Sequence, residues 1–118
     1  MGFPDGWEME QSVREQIDFP LLAAQYQYDD PECILQLICD ILCSTAETIR
    51  IGNENIPTSR VQTRFRRLTF EHIAYVLDSM KETTTKIKNI RAYLLTALFY
   101  APVTIGPYYA AAVRHDFG

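Results

Sequence analysis

The side chains best placed to do chemistry in this sequence are its basic ones. Arg60, Arg64 and Arg67 recur at helical spacing and form one row, which Arg66 extends. Lys81, Lys86, Lys88 and Arg91 make a second cluster in sequence, interleaved with threonines and Asn89. Guanidinium and ammonium groups mixed with hydroxyl and amide donors are the inventory of phosphate contacts. Arg60, Arg64, Arg67, Lys86, Lys88 and Arg91 are therefore the candidate nucleic-acid-binding residues. A solvated positive face, or pairing with the acidic part of the chain, explains the same residues equally well. Tyr75, on the polar side of its expected helix, could stack on a base, but half-exposure is the simpler expectation.

Other chemistry is poorly represented. Cys39 and Cys43 stand four residues apart and could supply two metal ligands, but no second pair completes a tetrahedral set. Cys43 falls on the polar row with Gln36, Asp40 and Glu47, so it is expected to be the most reactive of the three thiols. His72 and His115 have no neighbouring nucleophile or carboxylate arrangement. Asp29 and Asp30 are explained by helix capping, and no GxxxxGK, GxGxxG or HExxH occurs. The expectation is a chain that is not an enzyme and carries neither a metal nor another cofactor.

Charge sharpens the reading. The formal net charge is −4 over 118 residues. Residues 1–47 hold ten acids against Arg14 alone, a net of −9, whereas residues 48–118 hold ten basic residues against five acids, a net of +5. Such a split bears on partners rather than on fold, and it points to an anionic partner for the second half. The acidic start MGFPDGWEMEQ is no basic leader, no apolar run reaches the ~18 residues of a membrane span, and three cysteines suit a reducing compartment. A cytoplasmic protein without membrane contact is expected.

The elements that must carry these residues are mostly helices. With 47% hydrophobic residues the chain suits one domain, covering residues 11–118 behind a flexible acidic segment at 1–10. The fold class is all-α, a compact bundle of five to six short helices with one small β-hairpin near residues 48–57. Short helices are expected over 11–18 and 19–26, with Asp18 as the cap before a first-turn Pro20. Ile34, Leu35, Ile38, Ile41 and Leu42 mark an amphipathic helix over 31–46. Thr69 caps a further helix to about Glu82, with Phe70, Ile73, Val76, Leu77 and Met80 inward. Residues 88–100 are apolar on two sides, with Ile90, Leu94, Ala97 and Leu98 on one stripe and Leu95 and Phe99 on a second, which makes this the central helix. Ala101 and Pro102 are expected to end it, and a last helix opens at Thr104 with Ile105, Tyr108, Tyr109 and Ala112 inward.

Residues 64–118 resemble a known family through LTFEHIAYVLD (68–78), TTKIKNIRAYLLTALFYAP (84–102) and the closing Tyr108, Tyr109, His115 and Asp116. They are similar to the C-terminal domain of unknown function in replication initiator protein A of Gram-positive plasmids and mobile elements. IDFPLL (17–22) and the residue 48–57 hairpin fit the same domain more loosely. The resemblance implies a DnaD-like helical module that helps recruit or load replication machinery, normally preceded by a winged-helix domain that binds the origin. It carries over no residue's role. With that winged helix outside these 118 residues, the expectation is a piece or a truncated copy of a longer initiator. The function expected is a non-enzymatic accessory module that binds DNA backbone without sequence preference, or a replication-machinery protein such as a primosome or helicase-loading factor. The alternative is a pure protein-interaction or oligomerisation module without DNA contact, and self-association is left open.

Overall fold

The computed structural model describes residues 5–27, 29–83 and 87–117. Among them are six helices, α1 (Asp5–Ile17), α2 (Phe19–Gln25), α3 (Asp29–Leu42), α4 (Thr58–Phe65), α5 (Phe70–Glu82) and α6 (Ile90–Phe117), and two strands, β1 (Thr48–Ile51) and β2 (Glu54–Pro57). This is the mostly helical bundle with one small hairpin that the periodicity implies. None of the described helices is long and apolar enough to cross a membrane.

Helix α1 starts six residues before the expected Gln11. The part of the supposedly flexible 1–10 segment that is described is thus helical. Val13 and Ile17 are buried with Met9 packed beside them. Asp18 does precede α2, but in the left-handed region (φ 53°, ψ 60°) and without a side-chain cap bond. It serves as a tight link between α1 and α2 rather than as the side-chain cap its residue type suggests.

The hairpin follows its pattern closely. Ile49 pairs with Ile56 and Ile51 with Glu54, and the three isoleucines are buried while Thr48 and Arg50 face out. Gly52 takes φ 61° at the first central turn position, the requirement of a type II′ turn. Its N–H donates to Thr96 Oγ1 at 3.1 Å, which ties the turn to α6.

Two glutamine amides cover helix ends. Gln62 Nε2 on α4 shares its two hydrogens among the carbonyls of Ile41 (3.0 Å), Leu42 (3.3 Å) and Ser44 (3.2 Å) at and just beyond the end of α3, where the Ile41 oxygen also accepts the Ser44 N–H (3.2 Å). Gln16 Nε2 donates to the carbonyls of Phe65 (3.0 Å) and Leu68 (2.8 Å) at and just beyond the end of α4, the first of which also accepts the Leu68 N–H (3.2 Å). Gln62→Ala is expected to cost about 1–3 kcal/mol in denaturant unfolding, the penalty of removing the amide donor from the part-buried Leu42 and Ser44 carbonyls. A cost under about 0.5 kcal/mol, the level of an ordinary surface change, would show that water replaces the amide.

At the start of α5 the backbone N–H of Thr69 donates to His72 Nδ1 at 3.0 Å. An imidazolium has no free lone pair to accept that bond, and burial holds His72 below its ordinary pKa of 6.5. The unfolded chain therefore binds the proton more readily. This contribution to stability is full above pH 6.5 and is lost as pH falls through the folded-state pKa. His72→Gln keeps an acceptor but cannot titrate. Its stability should fall less than the wild type's between about pH 7.5 and about pH 5.5, and equal falls would contradict the assignment.

Helix α6 departs most from expectation. Residues 88–100 were to end at Pro102, yet one helix runs from Ile90 to Phe117 through Pro102 and Pro107. Pro102 removes the donor that the Leu98 carbonyl would use, a local cost of about 3 kcal/mol. Packing outweighs it. Leu94, Leu95, Leu98, Phe99 and Ala101 are buried against α5, α4, α3 and β1. Beyond the proline, Tyr75 Oη donates to Thr104 Oγ1 at 3.1 Å, and Thr104 Oγ1 donates to the Tyr100 carbonyl at 3.1 Å. Tyr75 is thus a strut between α5 and α6. Ile90, expected inside, is 45% exposed because it sits at the very start of α6, and Phe70 and Met80 are only half-buried. The inward places expected for Tyr108, Tyr109 and Ala112 lie outside the described side chains.

Candidate nucleic-acid interface

Helix α4 is short, and its geometry decides where the arginine row points. Val61, Phe65 and Leu68 are fully buried, which turns residues 60, 64 and 67 the other way, toward the outer side of α6. Ser59, Arg60, Thr63, Arg64 and Arg67 line one side of a groove of about 470 Å³, and Pro102 and Val103 line the other. The sequence row is therefore one wall of a real concavity. Its second wall is set by the unexpected continuation of α6.

The three arginines are not equivalent. Arg64 is half-buried, its Nη1 donates to the Phe99 carbonyl at 3.0 Å, and its guanidinium lies 4.1 Å from the centre of the Phe99 ring. That carbonyl follows the Leu98 oxygen that Pro102 leaves without a donor. Arg64 therefore clamps α4 to α6 beside the proline. Arg60 and Arg67 are exposed, with Arg60 6.0 Å from the same ring. Among the described residues no carboxylate comes within 4.0 Å of Arg60, Arg64 or Arg67.

The other expected contacts lie elsewhere. Arg91 lines a separate groove of about 280 Å³ with Arg50, Gly52, Asn89 and Thr96, and its Nη1 is 3.7 Å from Asp40. Asn89 is committed to α6, its Oδ1 accepting the Ala92 N–H at 3.0 Å. Lys88 is exposed, and Lys86 lies outside the described residues. The six candidates thus form no single surface: the structure brings Arg60, Arg64 and Arg67 together and sets Arg91 apart.

Few close ion pairs join the two halves among the described residues. Of the ion pairs among the described residues, Arg14 to Glu10 (3.0 Å) and Arg14 to Glu32 (3.8 Å) stay inside the acidic half, and only Arg91 to Asp40 joins the two. An exposed pair of that kind contributes little.

The thiols divide differently from expectation. Cys43 is exposed as the helical projection implies, but so is Cys33, while Cys39 is buried, its thiol pushed up to about 11 first by burial and then by Glu10. Among the described residues no group of three or more His, Cys, Asp or Glu side chains could hold a metal ion. The features that sequence reasoning missed are the apolar wall of Pro102 and Val103 and the clamp at Phe99. Their only trace in the sequence is that Phe99 and Val103 are both apolar in a helix already supplied with a full inward stripe.

No curated protein and no solved structure matches the chain. A family model does match, over residues 8–118, and is described as a family of unknown function, DUF6017. A match over nearly the whole length, covering both walls of the groove and every element that supports them, places this chain in the DUF6017 family.

Proposed function

We propose that this domain is a non-enzymatic accessory module of a DNA replication initiator and that it holds DNA by its phosphate backbone at the α4–α6 groove. The replication assignment rests on the resemblance of residues 64–118 to the C-terminal domain of replication initiator protein A. The DNA contact rests on the groove, where Arg60 and Arg67 are exposed with no carboxylate in ion-pair reach among the described residues. Ser59 and Thr63 line the same wall. The Thr63 hydroxyl donates to the Ser59 carbonyl at 2.8 Å, which leaves the guanidiniums of Arg60 and Arg67 and the Ser59 hydroxyl to meet phosphate oxygens, so contact should be weak and indifferent to sequence.

Arg60→Ala combined with Arg67→Ala tests this. On duplex DNA the loss of two phosphate contacts should flatten the dependence of log affinity on log salt by about 1.8, at unchanged folding stability. An unchanged slope would remove the groove from the interface. A second reading, contact with a replication protein, is favoured by Tyr100 and Val103, which are 41% and 56% exposed on α6. It takes the first reading's place if the domain fails to bind DNA at low salt, where attraction is least screened.

A further inference from the structure

The groove's two walls differ in chemistry, and the difference bears on which form of DNA it takes. One wall is cationic and hydroxyl-bearing, from Ser59, Arg60, Thr63, Arg64 and Arg67. The other is apolar, from the ring of Pro102 and from Val103, which is 56% exposed. Tyr100, one turn before Val103 on α6, is 41% exposed but lies outside the groove's lining. Val103 thus faces Arg60 and Arg67, cations with no carboxylate in ion-pair reach among the described residues.

A duplex makes poor use of this arrangement. Its bases are stacked inward, so a protein that meets only its phosphates gains nothing from an apolar wall. The concavity of about 470 Å³ has room for a base and its sugar but not for a double helix. A single strand offers what both walls can take. Its phosphates carry the negative charge along one edge, and its unpaired bases present apolar faces along the other.

We propose, resting on the DNA reading above, that the groove is a single-strand site in which Arg60 and Arg67 hold consecutive backbone phosphates while Pro102 and Val103 receive the bases. Arg64 acts in it as a positioning residue. Its Nη1 is already committed to the Phe99 carbonyl, and it fixes the distance between the walls instead of leading the contact. The site reads no sequence, because none of these groups addresses a base edge.

Fluorescence anisotropy with a labelled oligothymidylate and with a mixed-sequence duplex of equal length, at one low salt concentration, separates the forms. The single strand should bind about tenfold tighter than the duplex. Val103→Ser should weaken single-strand binding by about three- to tenfold and leave duplex binding and the unfolding midpoint unchanged, since the side chain is mostly in solvent. Arg60→Ala with Arg67→Ala should weaken both forms. Duplex binding as tight as single-strand binding, or a Val103→Ser variant that holds the single strand as well as wild type, overturns the single-strand assignment while leaving the DNA reading standing. Binding of neither form removes the DNA reading, and this inference with it.

Discussion

Phe99→Ala is expected to destabilise the domain by about 3–5 kcal/mol in urea or guanidinium unfolding, the range of buried aromatic truncations. The ring is 1% exposed, lies among the core side chains of α6, and carries the Arg64 guanidinium at 4.1 Å. Against a total stability of about 5–15 kcal/mol for a domain of ordinary size, that loss is a large fraction of what holds the chain folded. It also removes the floor on which the α4 clamp rests, so phosphate binding should weaken even where the variant is still folded. A cost below about 1 kcal/mol would mean that α6 is not seated against α4 at this point, since so small a value belongs to exposed or readily refilled positions.

Arg64→Ala should cost about 2–4 kcal/mol of stability. A hydrogen bond from a charged donor to a half-buried carbonyl contributes about 1.5–3 kcal/mol, and the cation over the ring adds about 0.5–1 at this half-exposed site. Arg60→Ala and Arg67→Ala should each stay within about 0.5 kcal/mol of wild type, because both side chains are exposed and neither has a carboxylate in reach among the described residues. Arg64→Lys distinguishes charge from geometry. Lysine keeps the positive charge but not the planar group that both stacks on Phe99 and donates to its carbonyl, so most of the loss should remain. Three equal and small effects would show the row to be a uniform solvated face, as its spacing alone suggests.

That contrast shows where the sequence is informative and where it is not. Local signals that agree with their surroundings are legible. The alternation of residues 48–51 around Gly52 places the hairpin, and the helical period of α3 and α5 places Ile38, Ile41, Leu42, Ile73 and Leu77 in one core with Phe65, Leu94 and Leu98. The row of Arg60, Arg64 and Arg67 is also found from spacing, since Val61 and Phe65 must turn inward. Features decided by distant contacts are not legible. Pro102 is a strong local breaker, and only the burial of Leu98, Phe99 and Ala101 together with the Thr104 bonds shows why α6 continues through it. The same continuation creates the second wall of the groove. Arg91 looks identical to Arg60 in sequence, but the approach of α3 gives it Asp40. Gln16 and Gln62 read as unremarkable polar residues, and their role exists only because helix ends arrive opposite them.

The most direct test of the phosphate-binding groove is a salt titration of the wild-type domain with a labelled DNA oligonucleotide, followed by anisotropy from low to moderate ionic strength. The account predicts dissociation constants of about 10⁻⁴–10⁻⁶ M and, on duplex, an affinity that falls with a log–log slope of about −2 to −3, from two or three neutralised phosphates. Absence of binding at the lowest salt, or binding whose affinity does not change with salt, contradicts it.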